Sequence, residues 1–262
     1  MKNSKEFFGV LSDTEILKYI KKKQIIIDPF KKENLNNCSY DVTLGEYYFR
    51  EKVNGLTVAN PYSSMFNKQF WMGPLRARTV EELISSPKKL YNFISKRAKQ
   101  YGLPGRYIKK ARIELEKSFE NISLKERIIL IFPGEMILAH TNEFIGGRNS
   151  INTSMQTRSS WARSFIDVCR SAGWGDIGYI NRWTMEITNH SHTKIIPLVV
   201  GRRIAQIVFL KSTTPLRIYG KDAGTKYQQG LTLRAIKKNW KPEMMLPRLF
   251  IDRDINHSNQ SS

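Results

Sequence analysis

The spacing of apolar side chains changes from a helical to an alternating period near the start of the chain. Ser12-Asp13-Thr14-Glu15 has the pattern of a helix capping box, and Leu11 is placed to pack onto the first turn. We therefore expect a helix from 12 to about 23, whose apolar stripe predicts the side chains that face the core. Those side chains are Ile16, Leu17 and Ile20.

After this helix the pattern favours β-structure. A short apolar strand at 25–27 is ended by Asp28-Pro29, and residues 38–50 alternate in the manner of a second strand. Gly45 interrupts that second strand, which indicates a turn or a β-bulge at this point.

Residues from about 74 to 125 have a helical pattern and an excess of positive charge. Thr79-Val80-Glu81-Glu82 is a second capping box, and Ser86-Pro87 places a proline at the first position of the next helix. Gly102 and Pro104 end that helix, and a third helical run covers about 107–119. The stretch carries 13 Lys/Arg against 5 Asp/Glu, a net charge of +8. We interpret 74–125 as a basic helical insertion in a β-protein.

From residue 128 onward the chain consists of short apolar runs, with turn residues such as Pro133-Gly134 and Gly201 between them. Strands this short and evenly spaced are typical of a barrel or a sandwich. We expect one domain over 1–245 and a partly disordered, polar tail over 246–262. The apolar runs lie at 128–132, 136–139, 183–187, 195–200 and 204–210.

The net charge of +20 is the most unusual feature of the composition. A charge of this size predicts an anionic partner, which is a triphosphate, a nucleic acid or an acidic surface. No apolar run reaches the roughly 18 residues of a membrane span, and the start of the chain lacks the apolar stretch of a secretory signal. We therefore expect an intracellular, cytoplasmic protein with no membrane partner.

The cysteine and histidine content argues against a zinc enzyme. Cys38 and Cys169 are 131 positions apart, which predicts free thiols in a reduced compartment. Zinc nucleobase deaminases use a His/Cys/Cys ligand set with a Pro-Cys-x-x-Cys segment, and neither that segment nor a Walker loop occurs here. Hydrolytic chemistry would have to come from carboxylates and an activated water. The histidines, which have no ligand spacing, are His140, His190, His192 and His257.

The densest set of polar and aromatic side chains lies between 157 and 189. It contains Arg-Ser-Ser-Trp-Ala-Arg at 158–163, Ser-Ala-Gly-Trp-Gly-Asp-Ile-Gly-Tyr at 171–179, and then an apolar strand with Glu186 in its middle. This pattern resembles the dCTP deaminase family, including its bifunctional deaminase–dUTPase branch. Further segments resemble the family in the same order along the chain. They are 11–13 with the opening helix, Asp-Val-Thr-Leu-Gly at 41–45, Pro-Gly-Glu at 133–135, and Tyr219 with Lys-Tyr-Gln-Gln-Gly at 226–230.

The resemblance covers roughly 10–55 and 125–236, and it preserves the 27-residue interval between Ser159 and Glu186. It implies a mainly β, dUTPase-like subunit, a distorted β-barrel or jelly-roll-like fold that assembles as a homotrimer with active sites between subunits. It also implies hydrolysis of dCTP to dUTP and ammonia, with dUMP and pyrophosphate as further products in the bifunctional branch. Mg²⁺ would bind through the triphosphate, with few or no protein ligands.

The resemblance implies catalytic roles for five residues. Deamination adds water at C4 of cytosine and expels ammonia, so a base must take up the proton of the water and pass it on. Glu186 lies in an otherwise apolar strand, and burial in a pocket would raise its pKa. Ser159 and the carbonyl of Ala172 would orient the water or the amino group, while Arg163 would hold Glu186 or offset charge on the ring. Asp176 matches a carboxylate near the deoxyribose, in the neighbourhood that activates the attacking water in dUTPases.

Seven further residues are expected to contact the nucleotide. Several cations or backbone donors must converge on a triphosphate, and Arg158, Lys226 and Gln229 are the candidates. Tyr219 would stack or hydrogen-bond near the phosphates. The remaining candidates from the same motifs are Ser160, Trp174 and Tyr179.

Three positions depart from the pattern of the family. Thr157 stands where glycine is common, Trp161 replaces a medium-sized aliphatic residue, and Arg170 adds a charge where the family tends to be neutral. None of the three removes a group that the chemistry needs. We expect Trp161 and Arg170 to reshape the pocket and thus to affect the substrate preference.

Two alternative hypotheses stay open. One is a dUTPase on the same scaffold, in which Glu186 is structural, and the products formed from dCTP and dUTP distinguish it from a deaminase. The other is a basic nucleic-acid-binding or packaging protein that uses the helices at 79–119. In that case Tyr91, Phe93 and Tyr101 would stack on bases. The phosphate contacts would come from Lys88, Lys89, Lys96, Arg97, Lys99, Lys109, Lys110 and Arg112.

Overall fold

The computed structural model describes residues 8–52, 57–221, 226–252 and 255. Its α-helices are α1 (Asp13–Lys21), α2 (Phe66–Phe70), α3 (Val80–Ile84), α4 (Pro87–Gln100), α5 (Gly105–Lys117), α6 (Ser159–Ala162) and α7 (Leu233–Asn239). Its strands are β1 (Gly9–Val10), β2 (Ile25–Asp28), β3 (Tyr40–Glu51), β4 (Trp71–Arg76), β5 (Arg78–Thr79), β6 (Arg127–Ile131), β7 (Met136–Gly147), β8 (Ile151–Thr157), β9 (Ile166–Val168), β10 (Trp174–Gly175), β11 (Ile180–Asn189), β12 (Ile196–Val199) and β13 (Arg203–Lys211). Short 3₁₀ helices lie at Lys32–Asn34, Pro242–Met245 and Leu249–Ile251.

Most strands belong to one curled antiparallel sheet. Its order is β10-β8-β13-β3-β7-β11-β9, and β1, β2 and β4 pair with β13, β7 and β3 respectively. A separate small sheet has the order β12-β6-β5. The prediction of a mainly β fold with an N-terminal helix and a helical insertion is therefore confirmed.

The predicted irregularity at Gly45 is present and has a steric cause. The register between β3 and β7 shifts between Leu44 and Tyr48. A Cβ atom at Gly45 would lie 2.0 Å from Cε1 of the buried His140 ring, so only glycine leaves room for this imidazole. Nε2 of His140 accepts a hydrogen bond of 3.2 Å from the backbone N–H of Tyr47. The bulge thus packs a histidine ring against the central strand.

Helix α1 packs onto the main core, but two details of its prediction are wrong. The buried residues of the helix are Ile16 and Tyr19, while Leu17 is only half-buried, because the tyrosine ring takes the place in the core. The side chain of Ser12 makes no capping hydrogen bond. Instead the carboxylate of Asp13 accepts a hydrogen bond of 2.7 Å from the backbone N–H of Thr14.

The helical insertion begins as its sequence predicts. Oγ1 of Thr79 accepts from the N–H of Glu82 at 3.0 Å, and the Glu82 carboxylate accepts from the N–H of Thr79 at 2.8 Å. Helix α4 starts at Pro87, and Gly102 follows its end with a φ of +67° that favours glycine. Helix α5 begins at Gly105, two residues earlier than predicted.

The insertion helices cover the small sheet and form a second hydrophobic core with it. Leu90 and Ile94 of α4 pack there with residues of β6. Three aromatic residues of the nucleic-acid hypothesis, Tyr91, Phe93 and Tyr101, pack against this core. Arg97, one of its phosphate candidates, is only 3% exposed. Packing therefore explains the three aromatic residues and Arg97. The lysines of the hypothesis are exposed, and they are Lys88, Lys89, Lys96, Lys99, Lys109 and Lys110.

A buried charge cluster joins the two cores. Arg50 of β3 and Arg97 of α4 approach the carboxylate of Glu135, with N–O distances of 3.3 and 4.0 Å. Arg97 also donates to the carbonyl of Glu51 at 3.0 Å. The cluster lies at the predicted Pro-Gly-Glu turn, so that turn ties the insertion to the main sheet.

Several elements were missed by the sequence analysis, among them β4, β8 and α7. Two of the buried residues of β8, Asn152 and Thr153, are polar. The strand therefore lacks the continuous apolar run that marks the predicted strands. Residues 247–252 of the predicted tail pack on the rest of the chain, where Asn67 donates to the carbonyl of Pro247 at 2.9 Å. The remainder of the tail, apart from residue 255, lies outside the described residues. Within the described ranges, every helix is too short or too polar to cross a membrane.

Candidate active site

A cavity of about 610 Å³ lies between β11 and the C-terminal segment. Its lining comes from separate parts of the chain, so the fold, and not local sequence, brings these groups together. The candidate site residues that line it are Ala172, Trp174, Asp176, Tyr179, Glu186, Tyr219 and Lys226.

Glu186 occupies the middle of β11, where buried and half-buried side chains alternate. It pairs across the sheet with Leu138 of β7. Burial raises the pKa of Glu186, and this effect exceeds the opposing effects of its own backbone N–H and of the Cys169 thiol. A carboxyl group with a raised pKa in a cavity is suited to taking up and releasing a proton.

Cys169 is a neighbour of Glu186 that the sequence analysis did not identify. Its backbone N–H donates to the carbonyl of Glu186 at 3.0 Å, and its own φ is +51°. The thiol lies 3.3 Å from Sδ of Met155 and 3.5 Å from the carbonyl oxygen of Thr184. Burial, followed by the charge of Glu186, raises the pKa of this thiol. Cys169 therefore stays protonated beside the carboxyl group.

A tyrosine cluster forms one side of the cavity. The ring of Tyr179 meets the rings of Trp183 and Tyr219 edge-on, both at 5.3 Å between centroids. The hydroxyl of Tyr219 accepts from the backbone N–H of Tyr227 at 3.2 Å. Burial raises the pKa of both Tyr179 and Tyr219, so these hydroxyls are neutral hydrogen-bonding groups.

Gln228, which was not a predicted site residue, anchors the C-terminal motif. Its Oε1 accepts from the N–H of Ile180 at 2.8 Å, and its Nε2 donates to the carbonyls of Gly178 and Gly230, both at 3.2 Å. The predicted Gln229 is exposed and lies outside the cavity lining. The first glutamine thus fixes the segment against β11 and leaves the second free for another contact.

Lys226 reaches the cavity with its ammonium group already in an ion pair. Its Nζ lies 2.7 Å from a carboxylate oxygen of Asp252. Arg248 donates to the carbonyl of Lys226 at 2.8 Å, and its backbone N–H donates to the hydroxyl of Tyr227 at 3.2 Å. The chain end therefore holds the lysine in place at one edge of the cavity.

The Arg-Ser-Ser segment lies elsewhere in the subunit. Helix α6 with its flanking residues borders a second cavity, lined by Arg158, Ser160 and Trp161 among others. Nε of Arg158 lies 3.3 Å from the buried Asp41, and Ser159 and Arg163 are exposed. Neither Ser159 nor Arg163 lines the cavity of Glu186, so a single chain does not bring these groups together.

Two of the three residues that depart from the family pattern make side-chain hydrogen bonds, and the third is exposed. Oγ1 of Thr157 donates to the carbonyl of Val168 at 3.0 Å and accepts from its N–H at 2.8 Å, which links β8 to β9. The indole N–H of Trp161 donates to the carbonyl of Arg203 at 3.0 Å. Arg170 is exposed and borders a separate shallow cavity beside Trp174.

Both cysteines, Cys38 and Cys169, are free. In the part of the chain that the structure describes, no three His, Cys, Asp or Glu side chains are grouped so that they could hold a metal ion.

Comparison with known proteins gives a family match over most of the chain. The model of the dCTP deaminase-like family matches residues 10–91 and 93–212. A Methanocaldococcus jannaschii protein named dCTP deaminase, dUMP-forming, is 29% identical over 222 residues, which are 83% of this chain and 90% of that protein. Proteins of the same name from Methanococcus maripaludis strain C7 and Nanoarchaeum equitans are 27% and 28% identical, and the matches cover 97% and 99% of their lengths and 88% of this chain.

Solved structures give weaker matches. The 2'-deoxycytidine 5'-triphosphate deaminase of Agrobacterium tumefaciens matches with a TM-score of 0.48 and 12% identity. That match covers 79% of this chain and 49% of the other, so it spans about half of the length of that structure. A native EIAV dUTPase matches 37% of this chain and 78% of its own, with a TM-score of 0.30 and 22% identity.

Proposed function

The chain belongs to the dCTP deaminase-like family, and on this premise we propose that it hydrolyses dCTP to dUTP and ammonia, with Glu186 as the general base. One observation carries the assignment of the base. Glu186 is the half-buried carboxyl group of raised pKa in a cavity that also contains Ala172, Asp176 and Lys226. In this proposal Ala172 contacts the reacting end of the nucleobase, Asp176 contacts the sugar, and Lys226 contacts the phosphate chain.

The proposed reaction needs only a water molecule and a proton carrier. The carboxylate of Glu186 takes a proton from water as the hydroxyl oxygen bonds to C4 of the cytosine. The same carboxyl group then delivers the proton to the amino nitrogen, the C4–N bond breaks, and ammonia leaves. Ala172 lines the same cavity as Glu186, and its carbonyl would accept a hydrogen bond from the water or the amino group. A raised pKa favours this cycle because it lowers the free energy of the protonated carboxyl group relative to that of the carboxylate.

The rest of the nucleotide would extend toward the tyrosine cluster. Asp176 is the candidate for the deoxyribose, and Tyr179 and Tyr219 offer neutral hydroxyls. Lys226 would bind the phosphates by exchanging Asp252 for a phosphate oxygen. Trp174, which lines the cavity, and Gln229, which does not, remain proposed contacts, and Mg²⁺ would enter on the triphosphate.

A second hydrolytic step on the same nucleotide is part of the proposal. The relatives that match nearly their whole length are named dUMP-forming. Asp176 lies in the same cavity as Glu186, and a carboxylate there would activate the water that attacks the α-phosphate. The products would then be dUMP and pyrophosphate. A dUTPase without deaminase activity is the alternative that the same cavity supports.

We also propose that the site is completed by a neighbouring subunit of a homotrimer. Ser159 and Arg163 are exposed near α6, outside the cavity of Glu186. Closed symmetric assembly would bring this segment of one chain to the cavity of another. Arg158 and Ser160 would arrive with it and contribute to phosphate binding.

The test is product analysis with dCTP or dUTP and Mg²⁺, for the wild type and for Glu186→Gln. We expect dUMP, pyrophosphate and ammonia from dCTP with the wild type, and no ammonia with the variant. Consumption of dUTP alone would replace the deaminase proposal by the dUTPase. If dCTP stays unchanged with folded wild-type protein, or if Glu186→Gln retains the wild-type rate, the role of Glu186 is refuted.

A further inference from the structure

The exposed face of helix α4 is positively charged along its whole length. The helix contains no Asp or Glu, and its exposed residues apart from Pro87 and Asn92 are all lysines. The ion pairs among the described residues include none of these lysines, whereas Lys110 of α5 lies 3.5 Å from a carboxylate oxygen of Glu114. The exposed lysines of α4 form the lysine row, which consists of Lys88, Lys89, Lys96 and Lys99.

The lysine row lies on one side of the helix. Successive residues of an α-helix are rotated by about 100° and rise by about 1.5 Å. The four positions therefore fall within a sector of about 100°, and the row extends for about 16 Å from Lys88 to Lys99. Double-stranded DNA carries one negative charge for about every 1.7 Å of its axis, so a row of this length can face several phosphates.

The start of α4 carries charge that the stability of the helix does not explain. The first turn of α3 contains Glu81 and Glu82, which suit the positive end of a helix dipole. The first turn of α4 contains no acidic residue and has Lys88 and Lys89 in its place, and Ser86 makes no side-chain capping hydrogen bond. Positive charges at this end oppose the dipole. These lysines therefore point to a partner outside the helix.

Helix α4 exposes no aromatic or large aliphatic side chain beside the lysine row. Leu90 and Ile94 are buried in the second hydrophobic core, and Tyr91 and Phe93 pack against it. A helix that binds at a membrane surface inserts an apolar face, and the centre of a protein interface is enriched in aromatic residues. A surface of charges alone instead fits a polyanion whose binding is dominated by phosphate contacts, which is a nucleic acid.

The packing of the aromatic side chains also favours double strands over single strands. Proteins that bind single strands stack the bases on aromatic rings. Tyr91, Phe93 and Tyr101 pack against the second core, and the ring of Phe93 meets that of Phe132 edge-on at 5.6 Å between centroids. Lysines without such rings suit the phosphate backbone of a duplex, which carries no sequence information directly.

The lysine row is separate from the proposed substrate site. No residue from 77 to 125 lines the cavity of Glu186, and Lys226 is the cation in its lining. The triphosphate of one nucleotide therefore does not account for the row, or for the net charge of +8 over 74–125. A second anionic partner does.

We infer that the lysine row of α4 binds the phosphate backbone of double-stranded nucleic acid without reading its base sequence. The inference goes beyond the proposed function and does not depend on it, because no residue of the row takes part in the proposed reaction. It keeps the lysines of the nucleic-acid hypothesis and replaces base stacking by backbone contacts. Duplex DNA and duplex RNA offer the same phosphate chemistry, and the experiment distinguishes them.

The experiment measures binding by fluorescence anisotropy as a function of salt concentration. The probes are a DNA duplex and an RNA duplex of mixed sequence, and a single DNA strand of the same length. The row variant replaces all four lysines of the row by glutamine. The control variant loses the same charge from exposed lysines outside the insertion, through Lys21→Gln, Lys32→Gln, Lys238→Gln and Lys241→Gln.

The salt dependence counts the phosphate contacts of the row. Each neutralised phosphate of a DNA duplex contributes about −0.9 to the slope of log K against log salt concentration. Four contacts weaken wild-type binding about 100-fold between about 50 and 200 mM salt, and the row variant should have a slope less steep by about 3 to 4. The control variant should keep nearly the wild-type slope. The duplex for which the row variant loses more affinity is the one that the row fits better.

Three results would overturn the inference. Equal slopes for the row variant and the control variant would mean that net charge alone attracts the duplex. Tighter binding of the single strand than of either duplex would mean that bases stack on the protein. Binding of wild type to phosphatidylserine vesicles, lost in the row variant and without binding to either duplex, would make the partner a membrane.

Circular dichroism and ammonia release from dCTP accompany the binding measurements. The row variant should keep the helix content and the ammonia release of wild type, and Glu186→Gln should keep its duplex binding. If the fourfold row variant does not fold, Lys88→Gln with Lys89→Gln removes only charges that oppose the helix dipole, and it should lose about half of the change in slope. If wild type releases no ammonia but the effect of the row is present, the inference holds and deamination fails. If ammonia is released and the row has no effect, only the inference fails.

Discussion

Asp41 and Glu186 are carboxylates in one antiparallel sheet, but their surroundings have opposite effects on the negative charge. The surroundings of Asp41 stabilise the charge, and those of Glu186 destabilise it. Asp41 is 2% exposed and lies 3.3 Å from Nε of Arg158 and 3.1 Å from Nη1 of Arg203. Glu186 has no cationic partner among the described residues, and burial raises its pKa. A paired buried carboxylate holds local structure in place, whereas an unpaired one in a cavity has a destabilised charge that chemistry uses. The Arg-Ser-Ser segment and the cavity thus have different physical roles within one chain.

Carboxylate-to-amide substitutions at the two positions should affect turnover very differently. Glu186→Gln is expected to lower kcat for ammonia release by about 10²- to 10⁴-fold, because an amide cannot take up the proton of water. Asp41→Asn is expected to lower kcat by roughly tenfold or less, because this substitution only weakens the ion pair that positions Arg158. Steady-state ammonia release measures both. Equal losses in the two variants would remove the distinction between a chemical and a structural carboxylate.

Mixing of subunits tests whether the two regions meet between chains. Glu186→Gln and Ser159→Ala proteins are unfolded, combined in equal amounts and refolded together. If each site takes these residues from different subunits, random assembly leaves about one quarter of the sites intact and restores about that fraction of wild-type activity. Mixing without unfolding is the control. A refolded mixture that stays as inactive as its parents would place both residues in sites made by one chain.

The stability effect of Asp41 should be intermediate in size. Asp41→Asn is expected to lower the free energy of unfolding by about 1–3 kcal/mol, because Arg158 and Arg203 lose a charged acceptor that is shielded from water. Glu46→Gln is the control, since Glu46 pairs with the exposed Arg76 at 2.8 Å and such pairs contribute about 0–1 kcal/mol. Urea unfolding gives both values. A loss at Asp41 no larger than that at Glu46 would show that the ion pairs do not hold the segment.

The parts of the fold that the sequence predicts well are those set by neighbouring residues. The capping box at 79–82 and the proline that starts α4 depend on local chemistry, and both are present in the structure. Glu186 was assigned its role through the resemblance to the dCTP deaminase family, and its place in an otherwise apolar strand agreed with that role. The raised pKa that burial would produce was predicted with it, and its direction is confirmed.

The parts that were missed depend on contacts between distant segments. Trp71 reaches the cavity only because β4 pairs with β3, and Cys169 lies beside Glu186 only because β9 pairs with β11. The choice between Gln228 and Gln229 depends on which side chain meets Gly178, 50 positions earlier than Gln228. No periodicity or spacing in the sequence reports such pairings. The Arg-Ser-Ser segment and Glu186 border different cavities of the subunit, and the resemblance had implied sites shared between subunits.

The smallest effect expected from the comparison is a gain of stability when the charge of Glu186 is removed. The pKa of Glu186 in the folded chain is raised above the ordinary value of 4.5, so the folded state holds this proton to higher pH than the unfolded state does. Stability attributable to this group therefore falls as pH rises from about 4.5 through the folded pKa, and the full penalty is present above it. Glu186→Gln carries no such penalty, whereas Asp41→Asn loses favourable ion pairs.

Urea unfolding of wild type and Glu186→Gln at pH 4 and pH 8 measures this difference. We expect nearly equal midpoints at pH 4, where the wild-type carboxyl group is mostly protonated in both states, and a higher midpoint for the variant at pH 8. Asp41→Asn should be less stable than wild type at pH 8, which gives the two substitutions opposite signs under one condition. A variant at 186 that is less stable than wild type at pH 8 would mean that the carboxylate has a stabilising partner. Glu186 would then resemble Asp41, and its role as an unpaired base would have to be abandoned.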